Sequence, residues 1–318
     1  MSNLLARYGE EVFWLARHVE RIENLARIVD VNETFSRDSR GAQDWTLVLR
    51  IFSDEDRYAE RHGAPTSPGV LRYYLLDRDN PGSLVSLTRA ARENARTLRP
   101  LISTEMWEHL NRFHSRIRTL SEADIRVERL DRLSGEIKQA CQTHTGITEG
   151  TFYRDESWCF YELGRLIERA DQTTRLLDVK YHALLPRVED VGSPLDVAQW
   201  NAVLRSAAGY HAYRRVHPRG LSPARVAGFL LFDPWFPRSV RRCIGRLDEV
   251  LAMLDEAFDA PASPEVDERL DDLRAIVDNE TIDDVIARGL HEFSDRLQLE
   301  LIALAEAIRT DYFAAADA

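Results

Sequence analysis

Between Phe13 and Val31 the apolar residues recur at helical spacing. At roughly 100° per residue, Leu15, Val19, Ile22, Ala26 and Val29 fall on one face, while Arg17, Glu20, Arg21, Asn24 and Arg27 fall on the other. That second face also carries Phe13, Ile28 and Val31. A helix with apolar residues all round is normally buried, so the charged stripe is expected to lie at least partly inside, where charges need partners. The segment Tyr161–Val179 repeats the pattern. Arg17, Glu20, Arg21, Glu23, Arg27, Asp30 and Val31 fall on Arg165, Glu168, Arg169, Asp171, Arg175, Asp178 and Val179 at a constant offset. A repeat of this length outranks any single-residue signal.

The rest of the chain reads as further helices. The first long helix is expected to run from Ser2 to about Phe35, with a polar break over 36–42. A second helix is expected from Gln43, a loop over 61–69, and a short apolar helix or turn at Val70–Leu76. Helices follow over Ser83–Arg99, Ile102–Leu120 and Arg126–His144, and two more between Glu265 and Phe313. The second half retells this order. Trp45, Tyr58, His62 and Pro68 fall on Trp200, Tyr213, His217 and Pro223. After a one-residue gain, Asp77, Pro81 and Ser83 fall on Asp233, Pro237 and Ser239. No alternating strand pattern is present, so the class is all-α. The expected architecture is a duplicated helical bundle, residues 1–145 and 146–318, packed as one unit around two long central helices.

Composition narrows the function. The 318 residues are 44% hydrophobic and 30% charged, which is ordinary for a globular chain. A net charge of −11 argues against general nucleic-acid binding. Cys141, Cys159 and Cys243 form no metal motif and no disulfide framework, so a reducing, cytoplasmic setting is expected. No apolar run approaches ~18 residues, so no membrane partner is expected. Gly-rich phosphate loops, G-x-S-x-G, H-E-x-x-H and C-x-x-C are all missing, and no cofactor is indicated.

The chemistry-bearing positions are therefore Arg17, Glu20, Arg21, Glu23, Asn24, Arg27, Arg165, Glu168, Arg169, Asp171 and Arg175. Glu23–Arg27 and Asp171–Arg175 are i, i+4 pairs in the favourable order. The full set reads either as an ion network joining two helices or as a site that also binds a ligand. Two E-x-x-E/D pairs face each other as in carboxylate-bridged metal bundles, but the interleaved arginines oppose a cation and suit a carboxylate or phosphate. Arg238, Ser239, Arg241 and Arg242, at the start of a helix after FDPWFP, form a second candidate for anions, against a plain capping role. Tyr153, Arg154 and Asp155 are a third place to look, and His18, His62 and His217 could join a site in space.

WLARHVERIENLARIVDV at 14–31, RENARTLRPLISTEMWEHLN at 92–111, TFYRDESWCFYELGRLIERADQTTRLLDV at 151–179 and FLLFDPWFPRSVRRC at 229–243 resemble the bacterial alpha-E family, helical proteins with a repeated Glu-Arg motif. His18 departs from it, standing where Tyr is common. The resemblance implies a partner, a circularly permuted ATP-grasp ligase, and a role beside carboxylate–amine ligation in making or modifying a peptide. Three readings stay open: an accessory or binding subunit of such a ligase with a peptide or anionic substrate, a stand-alone enzyme using the Glu/Arg centre, and a purely structural helical protein.

Overall fold

Two long helices form the axis of the molecule. The computed structural model describes residues 3–38, 45–183 and 194–314. In it, α1 spans Asn3–Asp38 and α8 spans Glu156–Ala183. Their mutual interface is the most extensive between any two elements. Phe13, Leu15, Val19, Ile22 and Ile28 of α1 are all buried, as are Tyr161, Leu163, Ile167 and Leu177 of α8. Because each helix is apolar on several faces, each must be covered on several sides. The two backbones come very close at Gly164, where an added Cβ would lie 2.3 Å from the Phe13 carbonyl oxygen. Only glycine admits that approach.

The remaining helices cover the central pair. Along the first half run α2 (Thr46–Ile51), α3 (Glu55–His62), α4 (Ser67–Leu75), α5 (Leu84–Thr97), α6 (Thr104–Arg118) and α7 (Val127–Thr151). Along the second run α9 (Pro194–Ser206), α10 (Tyr210–Val216), α11 (Pro223–Phe232), α12 (Val240–Phe258), α13 (Pro264–Asn279), α14 (Ile282–Arg288) and α15 (Leu290–Ile308), which ends in a π-helical turn, Arg309–Phe313. Helices α5 and α7 pack on α1, and α12 and α15 pack on α8, with α2 packing mainly on α8 and α9 mainly on α1. The described residues contain no strand, and the chain is all-α.

Several boundaries differ from expectation for identifiable reasons. Helix α1 continues past Phe35 to Asp38; residues 39–42 of the expected polar break lie outside the described residues. The helix expected from Gln43 starts at Thr46 and divides at Ser53, whose φ of 55° cannot continue a right-handed helix. The C-terminal segment forms three helices rather than two. A capping box at Thr281 and Asp284 starts α14, and Gly289, at φ 116°, separates α14 from α15. The 145/146 position falls inside α7, and the connection between α7 and α8 lies at 152–155.

Local structure recurs at the matched positions. Ser83 and Ser239 each cap a helix, accepting from the backbone N–H of Ser86 and Arg242, and each donates its hydroxyl to the carbonyl of the preceding Asp77 or Asp233. Asp77 and Asp233 accept from the backbone N–H two residues on. Ser53 and Ala208 share a positive φ. Tyr58 stacks near His62 at 4.9 Å, and Tyr213 near His217 at 4.8 Å.

Candidate functional site

The charged stripes of α1 and α8 meet across the interface and exchange partners. Glu168, fully buried, accepts from Arg17 Nε at 2.9 Å and Arg21 Nε at 2.6 Å. Reciprocally, Glu20 accepts from Arg169 Nε at 3.1 Å and Nη2 at 2.7 Å. Two i, i+4 pairs flank the centre: Arg27 to Glu23 at 2.6 Å and Arg175 to Asp171 at 2.9 Å. Gln172 Nε2 adds a bond to Glu168 at 3.0 Å. One relation is not reciprocal. Arg17 reaches across to Glu168, whereas Arg165 bonds Glu162 on its own helix at 2.6 Å. Glu162 falls on Trp14 of the first copy, and Trp14 instead lies under the Arg17 guanidinium at 4.9 Å.

A further arginine completes the network. Arg238, on the turn before α12, sends Nη1 to Glu20 Oε1 at 2.5 Å and to Asn24 Oδ1 at 3.3 Å, and Nη2 to Glu23 Oε1 at 3.0 Å. The turn is tied down because Thr173 Oγ1 donates to the Arg238 carbonyl at 3.0 Å. The sequence placed Arg238 in a separate cluster. In the structure Arg238 points inward to the central carboxylates, Ser239 caps α12, and Arg241 and Arg242 turn outward to Asp278 at 3.0 Å and Glu249 at 3.3 Å. The four residues do not converge on one point. Arg238 and Glu20 lie 218 residues apart, and no sequence motif links them.

Electrostatics follow from burial against pairing. Burial pushes the Glu20 carboxyl up, but Arg169 and Arg238 outweigh it and hold the group well below the ordinary carboxylate range. Glu168 behaves alike: burial opposes ionisation, and Arg21 and Arg17 win. Asp171 goes the other way. Burial raises its carboxyl, Arg175 only partly offsets that, and neighbouring Glu168 adds to the rise. His18 is driven down to about 4, first by burial and then by Arg21, so it is neutral at pH 7. The three thiols are buried, and burial pushes Cys159 up to about 12 and Cys243 up to about 11, which keeps both from acting as thiolates.

Beside the network lies a cavity of about 370 Å³. Its inner wall is Arg21 and Leu25 of α1 with Asp171, Gln172 and Arg175 of α8. Its outer wall is Phe52, Ser53, Asp54 and Arg57, with Tyr74, Leu87 and the turn residues Asn80 and Gly82. The turn is rigid: Asn80 Nδ2 donates to the Tyr73 carbonyl at 3.1 Å, and Asn80 Oδ1 accepts from Gly82 N–H at 2.9 Å. Tyr74 donates to Asp54 at 3.0 Å and packs on Phe52 at 5.1 Å between rings. Asp171 Oδ1 and Gln172 Oε1 are buried here with no hydrogen-bond partner among the described residues. Of the cavity residues, the sequence singled out Arg21, Asp171 and Arg175; the outer wall carried no motif.

The remaining candidates disperse. Tyr153 is exposed, Arg154 stacks over Trp158 at 4.3 Å, and Asp155 caps α8 by accepting from Ser157 N–H at 2.9 Å. His18 stacks on Trp14 beside the network, while His62 and His217 sit on the outer layer against Tyr58 and Tyr213. The E-x-x-E carboxylates Glu20 and Glu23 are both held by guanidiniums.

Comparison with known proteins places these residues in a family. One uncharacterized protein of Mycobacterium bovis and two of Mycobacterium tuberculosis are each 24% identical over 312 aligned positions, covering 89% of this chain. The chain spans only 34% of the length of each. No solved structure matches significantly. A family model described as a predicted alpha-helical domain with a conserved ER motif matches residues 4–313. With Glu20-Arg21 and Glu168-Arg169 at the crossing of its two central helices, the chain belongs to the Alpha-E family.

Proposed function

We propose that the protein is a substrate-binding accessory unit that acts with an ATP-grasp carboxylate–amine ligase in the synthesis or modification of a peptide. The observation that carries the reading is the cavity beside the ion network. Its wall holds both signs of charge, Arg21, Arg57 and Arg175 against Asp54 and Asp171, together with the aromatic rings of Phe52 and Tyr74. That mixture suits the zwitterionic group of a peptide or amino acid, and its volume falls within the size range of small-ligand sites. The network around it fixes Arg21 and Arg175 by short carboxylate bonds, so binding costs little side-chain ordering. The mycobacterial relatives, in which the matched unit is about a third of a longer chain, support a unit that works alongside further polypeptide.

A second reading, in which the Glu/Arg centre only specifies the pairing of α1 with α8, is favoured by the engagement of Glu20, Glu23, Glu162, Glu168 and Asp171 by guanidiniums. The test is amide formation by an ATP-grasp ligase encoded beside an Alpha-E protein, measured with and without this protein and with a folded Arg175→Ala variant. Stimulation by the wild type that Arg175→Ala loses supports the accessory reading. Equal ligase activity in all three leaves the structural reading.

A further inference from the structure

The two sides of the ion network are completed differently: Glu20 takes its second guanidinium from Arg238, and Glu168 takes its second from Arg17. At the second-half turn, Arg238 inserts its side chain and satisfies Glu20, Glu23 and Asn24. The matched acceptors on the other central helix are Glu168, Asp171 and Gln172, at the constant offset of the repeat. The matched turn runs Asp77–Ser83, with the same aspartate bond and the same serine cap, and the residue at Arg238's place is Gly82. Gly82, which has no side chain, lines the cavity together with Asp171 and Gln172. Asp171 and Gln172, each more than nine-tenths buried, line the cavity, and their Oδ1 and Oε1 atoms have no partner among the described residues, although the counterparts Glu23 and Asn24 are both bonded to Arg238.

Resting on the cavity's role as a binding site, we propose that its inner end takes a guanidinium group from the ligand, such as the side chain of an arginine residue, held by Asp171 and Gln172 as Arg238 is held by Glu23 and Asn24. A planar fork of N–H donors matches two or three convergent oxygens in a way that a point-charge ammonium does not. The nearby cations do not forbid it. Arg21 is tied to Glu168 and Arg175 to Asp171, and the same two cations, Arg169 and Arg27, flank Arg238 on the other side. Arg57 is offset by Asp54 on the same wall. Phe52 and Tyr74 offer ring faces for the alkyl stem and for cation–π contact.

Agmatine, which carries a guanidinium and no carboxylate, is the probe, with cadaverine and N-acetylglycine as controls, all titrated by calorimetry against the purified protein. Agmatine is expected to bind with a Kd below about 1 mM and the controls far more weakly. Asp171→Asn should weaken agmatine about 10- to 100-fold, since a hydrogen bond to a charged group is lost. Gly82→Arg should abolish binding and raise the melting temperature without ligand, because the new side chain fills the cavity as Arg238 does. A Cβ at Gly82 meets only Asn80 Oδ1, at 3.3 Å, and φ there is not left-handed, so the substitution requires Asn80 to shift by a few tenths of an ångström. If Gly82→Arg fails to fold, Asp171→Asn decides. No agmatine binding by the wild type, equal binding of cadaverine, or unchanged agmatine affinity in either folded variant overturns the proposal. Agmatine binding without any effect on a ligase would leave the guanidinium site standing and remove the accessory role; ligase stimulation without agmatine binding would do the reverse.

Discussion

Replacing Glu20 with alanine removes the acceptor for two arginines at once. Arg169 and Arg238 have side chains only 12% and 11% exposed, so neither can turn to water without breaking the packing around it. Arg238 keeps Glu23 and Asn24, but Arg169 has no other carboxylate bond among the described residues. Removing one partner of a buried ion pair typically costs about 3–5 kcal/mol, because the charge left behind stays desolvated. We expect Glu20→Ala to fall in that range. Arg241→Ala, which breaks a pair with Asp278 whose members are 43% and 47% exposed, should cost under about 1 kcal/mol. Urea unfolding followed by circular dichroism reads both, provided the slope of the transition is unchanged.

The pH dependence gives an independent check. Glu20 and Glu168 have folded-state carboxyls depressed below the unfolded value of 4.5. Their stabilisation is fully present above that value and is lost as pH falls from it through the depressed folded value. The gap between wild type and Glu20→Ala should therefore narrow as pH drops below about 4.5. A loss under about 1 kcal/mol for Glu20→Ala at pH 7, or a gap that widens with acid, refutes the burial argument.

Other consequences can be measured on the same protein. His144, fully buried and pushed down to about 3 by burial and then by His109, folds neutral, so stability should fall as pH drops from 6.5 toward 3; His144→Phe should flatten that fall in urea melts between pH 7 and 4. Gly164→Ala should destabilise by about 1–3 kcal/mol or more, read as a lowered melting temperature, since its methyl would strike the Phe13 carbonyl. Ser83→Ala and Ser239→Ala should each cost about 1 kcal/mol by thermal melting, from the loss of a helix cap.

The helices and the central crossing were legible because both signals are periodic. Apolar residues on every face of 13–31 forced burial, and burial of Glu20 and Glu168 forced pairing. The i, i+4 pairs Glu23–Arg27 and Asp171–Arg175 could be read directly from spacing, and both form. Helix ends were less legible. A positive φ at Ser53 splits one expected helix, and nothing about serine announces it. Gly289 and the Thr281 cap did carry a stop and a start, lost inside a stretch rich in Leu and Asp. Arg238 was misplaced because its neighbours Arg241 and Arg242 suggested a surface cluster. Helical phase separates them: Arg238 lies on the turn before the helix and faces the interior, while the other two lie on the outer side. The cavity's outer wall was invisible, since Phe52, Asp54, Tyr74 and Asn80 meet α1 and α8 only through tertiary packing.

The comparison of the two sides argues against a network that serves pairing alone. A device for holding α1 to α8 gains nothing from leaving Asp171 Oδ1 and Gln172 Oε1 without partners. Buried oxygens without partners cost free energy. Filling the site would need only the residue already used at Arg238. A network built solely for pairing would therefore be expected to satisfy Asp171 and Gln172 as Arg238 satisfies Glu23 and Asn24, and it does not. That side is also the one where Ser53, Asp54 and Tyr74 extend the polar wall toward solvent, whereas Ala208 and Gly209 occupy the places matching Ser53 and Asp54 on the other side. Polar side chains were thus placed around the open position and small ones around the filled one. The matched charges hold the two central helices together, and the cavity opens on the side where Gly82 stands at the position matching Arg238.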